Sequence, residues 1–486
     1  MAGSERVKNG DLVVDESERA LKKRRKLTRW CVFILLLLVG AGAFTLFRLH
    51  LRSKLNARIE AIRAAGYPVT CDELDAWYTI PEGAENAADT ILDATKSYNQ
   101  WSVKTIPDAN YIEPYHPFYS KEDFIILPRI GSLELPRSRE PLTDEMKALI
   151  AEYVVDNNEA LDLLHAGAEI EHCRYPLELN YPYFFYFRLY DLYEVSRLLC
   201  FDALAHAENG KAELATRSVI SGFDLARSLS KEPMLDSQTT LIKFDSIALY
   251  ALKRIVNRIK LTNEQMVKLA ECIAHAEHVH DFSLGLVGER CLMLSAFREP
   301  KKWNWLDNVQ WPPAPIFKTY KALGLADMDT IHYLDRINEY IEVSRLPLHL
   351  RWEAARTVDD KFGEPSIIRI LLYQTTFELS RLTAWDFRII ARLRTARVGL
   401  AVQRYRLANG ALPDKLSQLV PDYLDAVPED PFDGNELRYK KHGSGFVIYS
   451  IGEDLSDDGG TEPLLRGKRP KGKPAPNWDI TFVVER

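Results

Sequence analysis

The densest set of hard ligands in this chain lies near its end. Glu453, Asp454, Asp457 and Asp458 fall within six residues and run into Gly459-Gly460. Carboxylate oxygens on a flexible turn suit calcium, which takes six to eight oxygens with loose geometry. The spacing is not that of an EF-hand, and a solvated acidic loop is the plain alternative. His275, Glu277, His278 and His280 form the one histidine cluster. His275 and His278 share a helix face, but no further ligand joins them there, so exposed imidazoles near a helix end are expected. Tyr181, Tyr183, Phe184, Phe185, Tyr186, Phe187, Tyr190 and Tyr193 can line a groove or pack between helices. There is no HExxH, GxSxG, Walker-type glycine loop or GxGxxG. No reaction can be named from motifs.

What carries these residues is set first by the N-terminal part. Lys22, Lys23, Arg24, Arg25, Lys26 and Arg29 precede the uncharged run from Trp30 to Phe47. Eighteen residues make a helix of about 27 Å, close to the hydrocarbon thickness of a bilayer. The basic cluster favours a cytoplasmic N-terminus. The expectation is a single-pass signal anchor in a bacterial inner membrane: 1–29 a cytoplasmic basic tail, 30–47 the span, and the bulk outside the cytoplasm. A cleaved signal peptide, with Ala41-Gly42-Ala43 as its cleavage site, is the competing expectation. The polar tail before Lys22 shows no periodicity and is expected to be disordered.

With 486 residues and 46% apolar composition, core material is plentiful. Residues 1–30 hold nine Lys/Arg against five Asp/Glu, so the rest of the chain carries a net charge of −10. A mildly acidic body argues against nucleic acid as a partner. Of the six cysteines, Cys31 lies in the apolar run, and no CxxC occurs. They are expected as buried small hydrophobes; one disulfide is possible, with no pairing assignable.

Residues 48–380 are expected to form a helical extracytoplasmic domain. Leu192, Leu199, Cys200 and Ala203 mark one helix face. Ala215, Val219, Phe223, Ala226 and Leu229 mark the next, and Leu241, Phe244, Ala248, Leu252, Ile255 and Ile259 a third. Thr143 opens a helix as a cap; Asn209-Gly210 and Glu232-Pro233 punctuate the series. One hairpin has the small residues of tetratricopeptide-type repeats, but a second copy is lacking. The proline-rich 100–142 stretch is loop or edge structure, and Trp303, Trp305, Trp311 and Trp352 mark a Trp-Pro-rich connection.

The last part has a different grammar. A helix runs through Ala396, Leu400 and Tyr405 to Asn409-Gly410. Leu412-Pro413, the short turn Leu416–Leu419 and the segment Val427–Gly434 follow. Two strands come next, at Glu436–Lys440 and Phe446–Ile451, with the alternation of a one-sided sheet. This order, "YRLANGALP", "LVPDYLDAVPEDPFDG", "LRY", "VIYSIGEDLSDDGG", resembles the globular domain of the major pseudopilin of type II secretion. The resemblance covers about 390–486 and implies a small α+β domain, 385–486, that holds calcium. By position Asp454 matches the family's first loop aspartate and Asp479 the one near the end, with Asn477 at a usually acidic neighbouring position; Asp457 and Asp458 complete the implied ligand set. The family's prepilin-peptidase signature is absent from the head of the apolar run, which argues against polymerisation. A basic insertion at 461–476 separates the implied ligands.

The expected fold is therefore mainly α: a membrane helix, a large helical array and a small α+β module with an antiparallel sheet. The expected function is a non-enzymatic scaffold or interaction module of the envelope, linked to secretion, with another envelope protein as partner. The alternative is an extracytoplasmic enzyme or ligand-binding protein with its pocket in the helical domain.

Overall fold

The computed structural model of the chain describes residues 5–99, 129–130, 133–136, 138–177, 182–299, 314–363, 379–461 and 479–486. In chain order the first helices are α1 (Glu5–Ala64), α2 (Cys71–Trp77), α3 (Ala87–Ser97), α4 (Asp144–Asp156), α5 (Asn158–Ala168), α6 (Pro182–Glu208) and α7 (Ala212–Arg227). The series continues with α8 (Leu235–Arg258), α9 (Asn263–Val279), α10 (Phe282–Arg298), α11 (Ala314–Leu323), α12 (Leu325–Val343), α13 (Leu348–Phe362) and α14 (Leu379–Asn409). Strands β1 (Arg129–Ile130) and β2 (Leu133–Glu134) form one antiparallel pair. Strands β3 (Arg438–His442), β4 (Gly445–Ser450) and β5 (Ile480–Val484) form an antiparallel sheet in that order. Two units result: residues 1–66 with 312–333, and residues 67–311 with 334–486.

The first unit is built on α1. Its segment Leu21–Ala64 reaches a mean hydropathy of 2.4 over its most apolar window, and none of that window is buried. This helix is long and apolar enough to cross a membrane. The tail expected to be disordered is helical from Glu5, in keeping with the helix-forming Lys, Arg, Leu and Glu residues that feed into the apolar run. Beyond that run Leu51 is buried and Arg48 pairs with Asp327 at 3.1 Å. Gly324 takes φ +85° between α11 and α12, where a β-carbon would meet the Arg48 guanidinium at 2.4 Å.

In the second unit the three helix faces expected from spacing are all buried, on α6, α7 and α8, which pack on one another. Helix ends follow local chemistry. Thr143 Oγ accepts from Met146 N, and Thr262 with Gln265 forms a reciprocal capping box on α9. Gly210, at φ +68°, ends the α6 turn. Trp303, Trp305 and Trp311 lie outside the described residues, as does most of the 100–142 stretch. Trp352 packs its ring on Phe387 and Phe432.

The C-terminal part follows the expected order: α14 to Asn409, Gly410 at φ +71°, a 3-10 turn at Leu416–Leu419, then the sheet. Its hub is Asp430, fully buried. That carboxylate accepts from Phe432 N, Ser450 Oγ, Ile451 N and Arg438, tying the 430–438 turn to the end of β4. The sheet differs from the expected one-sided form, because β4 is buried along its whole length. Phe482 of β5 lies over Gly399 of α14, where a β-carbon would meet its ring at 2.4 Å, while Gly460 abuts Tyr449 and Val447. α14 also packs along α9 and α8. Arg394 donates to Glu277 at 2.7 Å, Asn257 Nδ2 donates to Val483 O at 3.0 Å, and Glu485 N donates to Asn257 Oδ1 at 2.8 Å.

Candidate functional site

The acidic turn is organised by its own amides. Asp454 Oδ1 accepts from Ser456 N at 3.1 Å, and Asp457 Oδ1 accepts from Gly459 N at 2.9 Å. Asp479, delivered by the start of β5, accepts from Asp458 N at 3.3 Å and Gly460 N at 2.7 Å. Asp454, Asp457 and Asp458 are exposed, whereas Asp479 is buried. Burial pushes the Asp479 carboxyl above its usual range; the two amides oppose this, and the Asp457 and Asp458 charges add to it. Asp479 and the acidic turn are thus brought together, while Asn477 lies outside the described residues. The carboxylates fit a hard cation in kind. In arrangement, no three carboxylate, imidazole or thiolate groups converge for a metal among the described residues, and both Asp479 oxygens already hold amides.

The histidine cluster divides. His275 and His278 are exposed on α9, as expected. The His280 side chain is buried instead, because α9 stops at Val279 and the extended backbone of His280 turns its ring inward. Its Nε2 lies 2.8 Å from Asp245 Oδ2 on α8, and its Nδ1 3.8 Å from Asp386 on α14. Arg351 of α13 stands 3.7 Å from Asp386. Burial would push the imidazole down, yet the Asp245 hydrogen bond and the Asp245, Asp386 and Glu277 charges outweigh it and raise its pKa.

A second buried cluster has the residue types of a hydrolase. His165 Nδ1 is 2.8 Å from Ser221 Oγ, and its Nε2 is 3.9 Å from Asp202, which also receives Ser218 and His206. All three of Ser221, His165 and Asp202 are buried. Ser221 sits inside α7, where backbone N–H groups are spent on the helix and none is left to stabilise an oxyanion. This network holds α5, α6 and α7 together. His165, His206 and Ser218 together more than offset burial and hold the Asp202 carboxyl well below its usual range.

A third cluster of titratable groups lies where α8 and α10 cross. Gly288 brings α10 against the Pro233 carbonyl, 1.6 Å from where a β-carbon would stand; Gly285 lies against Leu235 and Gln238. Backbone approach this close sets Glu289 beside the first turn of α8. On α8 itself Asp236, Lys243, Ser246, Tyr250 and Lys253 form one half-exposed polar stripe, and the rest of the helix is buried except Arg258. Burial pushes Glu289 up to about 8, with the Asp236 charge adding to it. Burial likewise brings Lys243 down to about 8, with Asp236 opposing. A raised acid and a lowered base that both feel Asp236 are the kind of perturbation that recurs at functional sites. Motif searches miss them because they stand far apart in the sequence, on two different helices. The usable signal was Lys243 interrupting Leu241-Ile242-Phe244, seven residues from Asp236.

Of the aromatic run, Tyr181 and Tyr183 to Tyr186 have no described side chains. Phe187 and Tyr190 are exposed, and Tyr193 is half-buried. Nearby, the Tyr98 and Tyr153 hydroxyls hydrogen-bond at 2.8 Å. No family model, curated protein or solved structure matches this chain.

Proposed function

We propose that this protein is a membrane-anchored, non-enzymatic scaffold of a bacterial envelope, with its helical array and pseudopilin-type C-terminal module outside the cytoplasm, binding another envelope protein in a secretion-linked setting. The observation that carries this is the exposed apolar stretch of α1 directly behind six cations, which favours an inner-membrane anchor with its N-terminus in the cytoplasm. The order α14, 3-10 turn, β3, β4, β5 supports the pseudopilin-type module, and calcium at the acidic turn is a ligand its exposed carboxylates suit in kind though not in arrangement. A reporter active only after export, fused behind Arg486 through a flexible linker, is expected to be active. Activity of a cytoplasm-only reporter in its place would overturn the topology. Native mass spectrometry from detergent-solubilised membranes is expected to show a salt-resistant complex with a second envelope protein; a bare monomer would overturn the scaffold.

The α8–α10 stripe favours a second reading, in which the helical array binds a small polar ligand through Asp236, Lys243 and Glu289. Its test is ligand-induced thermal stabilisation across a polar metabolite panel, lost in both Lys243→Met and Glu289→Gln.

A further inference from the structure

Two of the cysteines beyond the membrane span meet across a helix junction. α2 begins at Cys71, directly after Thr70, whose side chain caps the helix by accepting from Glu73 N. Val69 N donates in turn to Glu73 Oε2 at 2.8 Å, so the entry into α2 is held from both sides. This helix packs on α10. The Cys291 thiol of α10 donates to the Pro68 carbonyl at 3.3 Å, three residues before Cys71. One helical turn further along α10, Ser295 lies close enough to the Cys71 thiol to draw its pKa down against burial. Residues four apart on a helix have β-carbons about 6 Å apart. A thiol beside Ser295 is therefore about one helical step from Cys291.

The remaining cysteines have other neighbours. Cys173 lies among Tyr175, Glu232 and Arg188, Cys200 beside Arg254 and Arg197, and Cys272 beside Asp224, Asp245 and Arg227. Cys31 is exposed within the apolar run of α1. Cys291 is the one of the six whose ionisation is raised by another cysteine, Cys71.

We propose that Cys71 and Cys291, both thiols here, are a disulfide pair that staples the head of α2 to α10. The proposal rests on the reading that this part of the chain lies outside the cytoplasm, where thiols become oxidised. The chemistry is thiol exchange with a small or protein disulfide. Cys71 is half-exposed and Cys291 buried, so exchange starts at Cys71, whose thiolate attacks the donor disulfide and releases one donor thiol. The Cys291 thiolate then attacks Cys71 Sγ and expels the second. The two cysteines lose two electrons and two protons, and the donor disulfide takes up both. Burial pushes Cys291 up to about 12 and raises Cys71 as well. Exchange at neutral pH is therefore slow, which suits a permanent staple rather than a switch.

The test uses the full chain. Membranes are acid-trapped and alkylated, and the protein is digested without reduction. A linked peptide containing Cys71 and Cys291 is expected, absent from Cys71→Ser and from Cys291→Ser. Reduced wild type and the double variant are expected to melt several degrees below the oxidised protein. If purified, reduced protein treated with oxidised glutathione forms no such link, the pairing is overturned. If glutathione makes the link but trapped membranes hold both thiols free, the native staple falls together with the extracytoplasmic placement, and the geometry stands.

Discussion

Burial shifts Glu289 up and Lys243 down, because it disfavours the charged form of each. The acid is raised from 4.5 to about 8, so it favours the folded state only while protonated, and that contribution is lost as pH rises from about 4.5 through about 8. The lysine is lowered from 10.5 to about 8, so its cost is full below about 8 and is relieved above it. Glu289→Gln removes the first effect. Its melting temperature is expected to match wild type near pH 5, to exceed it by a margin that grows up to pH 8, and to hold that margin above. A constant offset at all pH values would mean that Glu289 ionises normally. The residue scale is also where the sequence was hardest to read. The acidic turn stood out because four carboxylates crowd six residues, whereas Glu289 stands far in sequence from Asp236 and Lys243, and only a helix crossing assembles them. His280 was misplaced for a similar reason: its burial depends on α9 ending one residue earlier, and on Asp245 and Asp386 arriving from other helices.

Helix faces were legible because burial imposes the period directly. Leu241, Phe244, Ala248, Leu252 and Ile255 are buried as their spacing demands. The path of α10 was not legible, since it depends on what Gly285 and Gly288 omit. Gly288→Ala is expected to destabilise by about 2 kcal/mol or more, because overpacking against the Pro233 backbone exceeds the roughly 1 kcal/mol helix gain of alanine over glycine. Gly222→Ala, whose nearest neighbour is the Ala248 β-carbon at 3.4 Å, should change stability by about 1 kcal/mol or less. Equal denaturation midpoints for the two variants would refute the close crossing. In the acidic turn, Asp479→Asn is expected to destabilise by about 1–3 kcal/mol through an unsatisfied amide, with or without calcium. Calcium itself is expected to raise the melting temperature of the full chain over chelator, more than magnesium does, with Asp454→Ala abolishing the rise. An unmoved melting curve leaves the amides as the only organisers of the turn. The one-sided sheet was misjudged because alternation along β4 reveals the face on α14 but not the cover that Gly460 brings to Val447 and Tyr449.

At the scale of the molecule, the C-terminal module and the helical array share polar contacts that no stretch of sequence announces. Asn257 meets Val483 across 226 positions of chain, and Arg486 reaches the carbonyl of Ile259. Contacts of such separation form late, because loop closure precedes any reward. A chain threaded outward from its anchor would release α8 and α9 long before β5 arrives. Until then the faces of α8 and α9 that α14 and β5 cover in the finished fold would stay uncovered. The array is therefore expected to gain protease resistance only once β5 has docked against α8 and α14. In pulse-chase labelling, a chain stopped after Gly460 is expected to decay several-fold faster than the full one, and equal lifetimes would show that the array matures without its last strand.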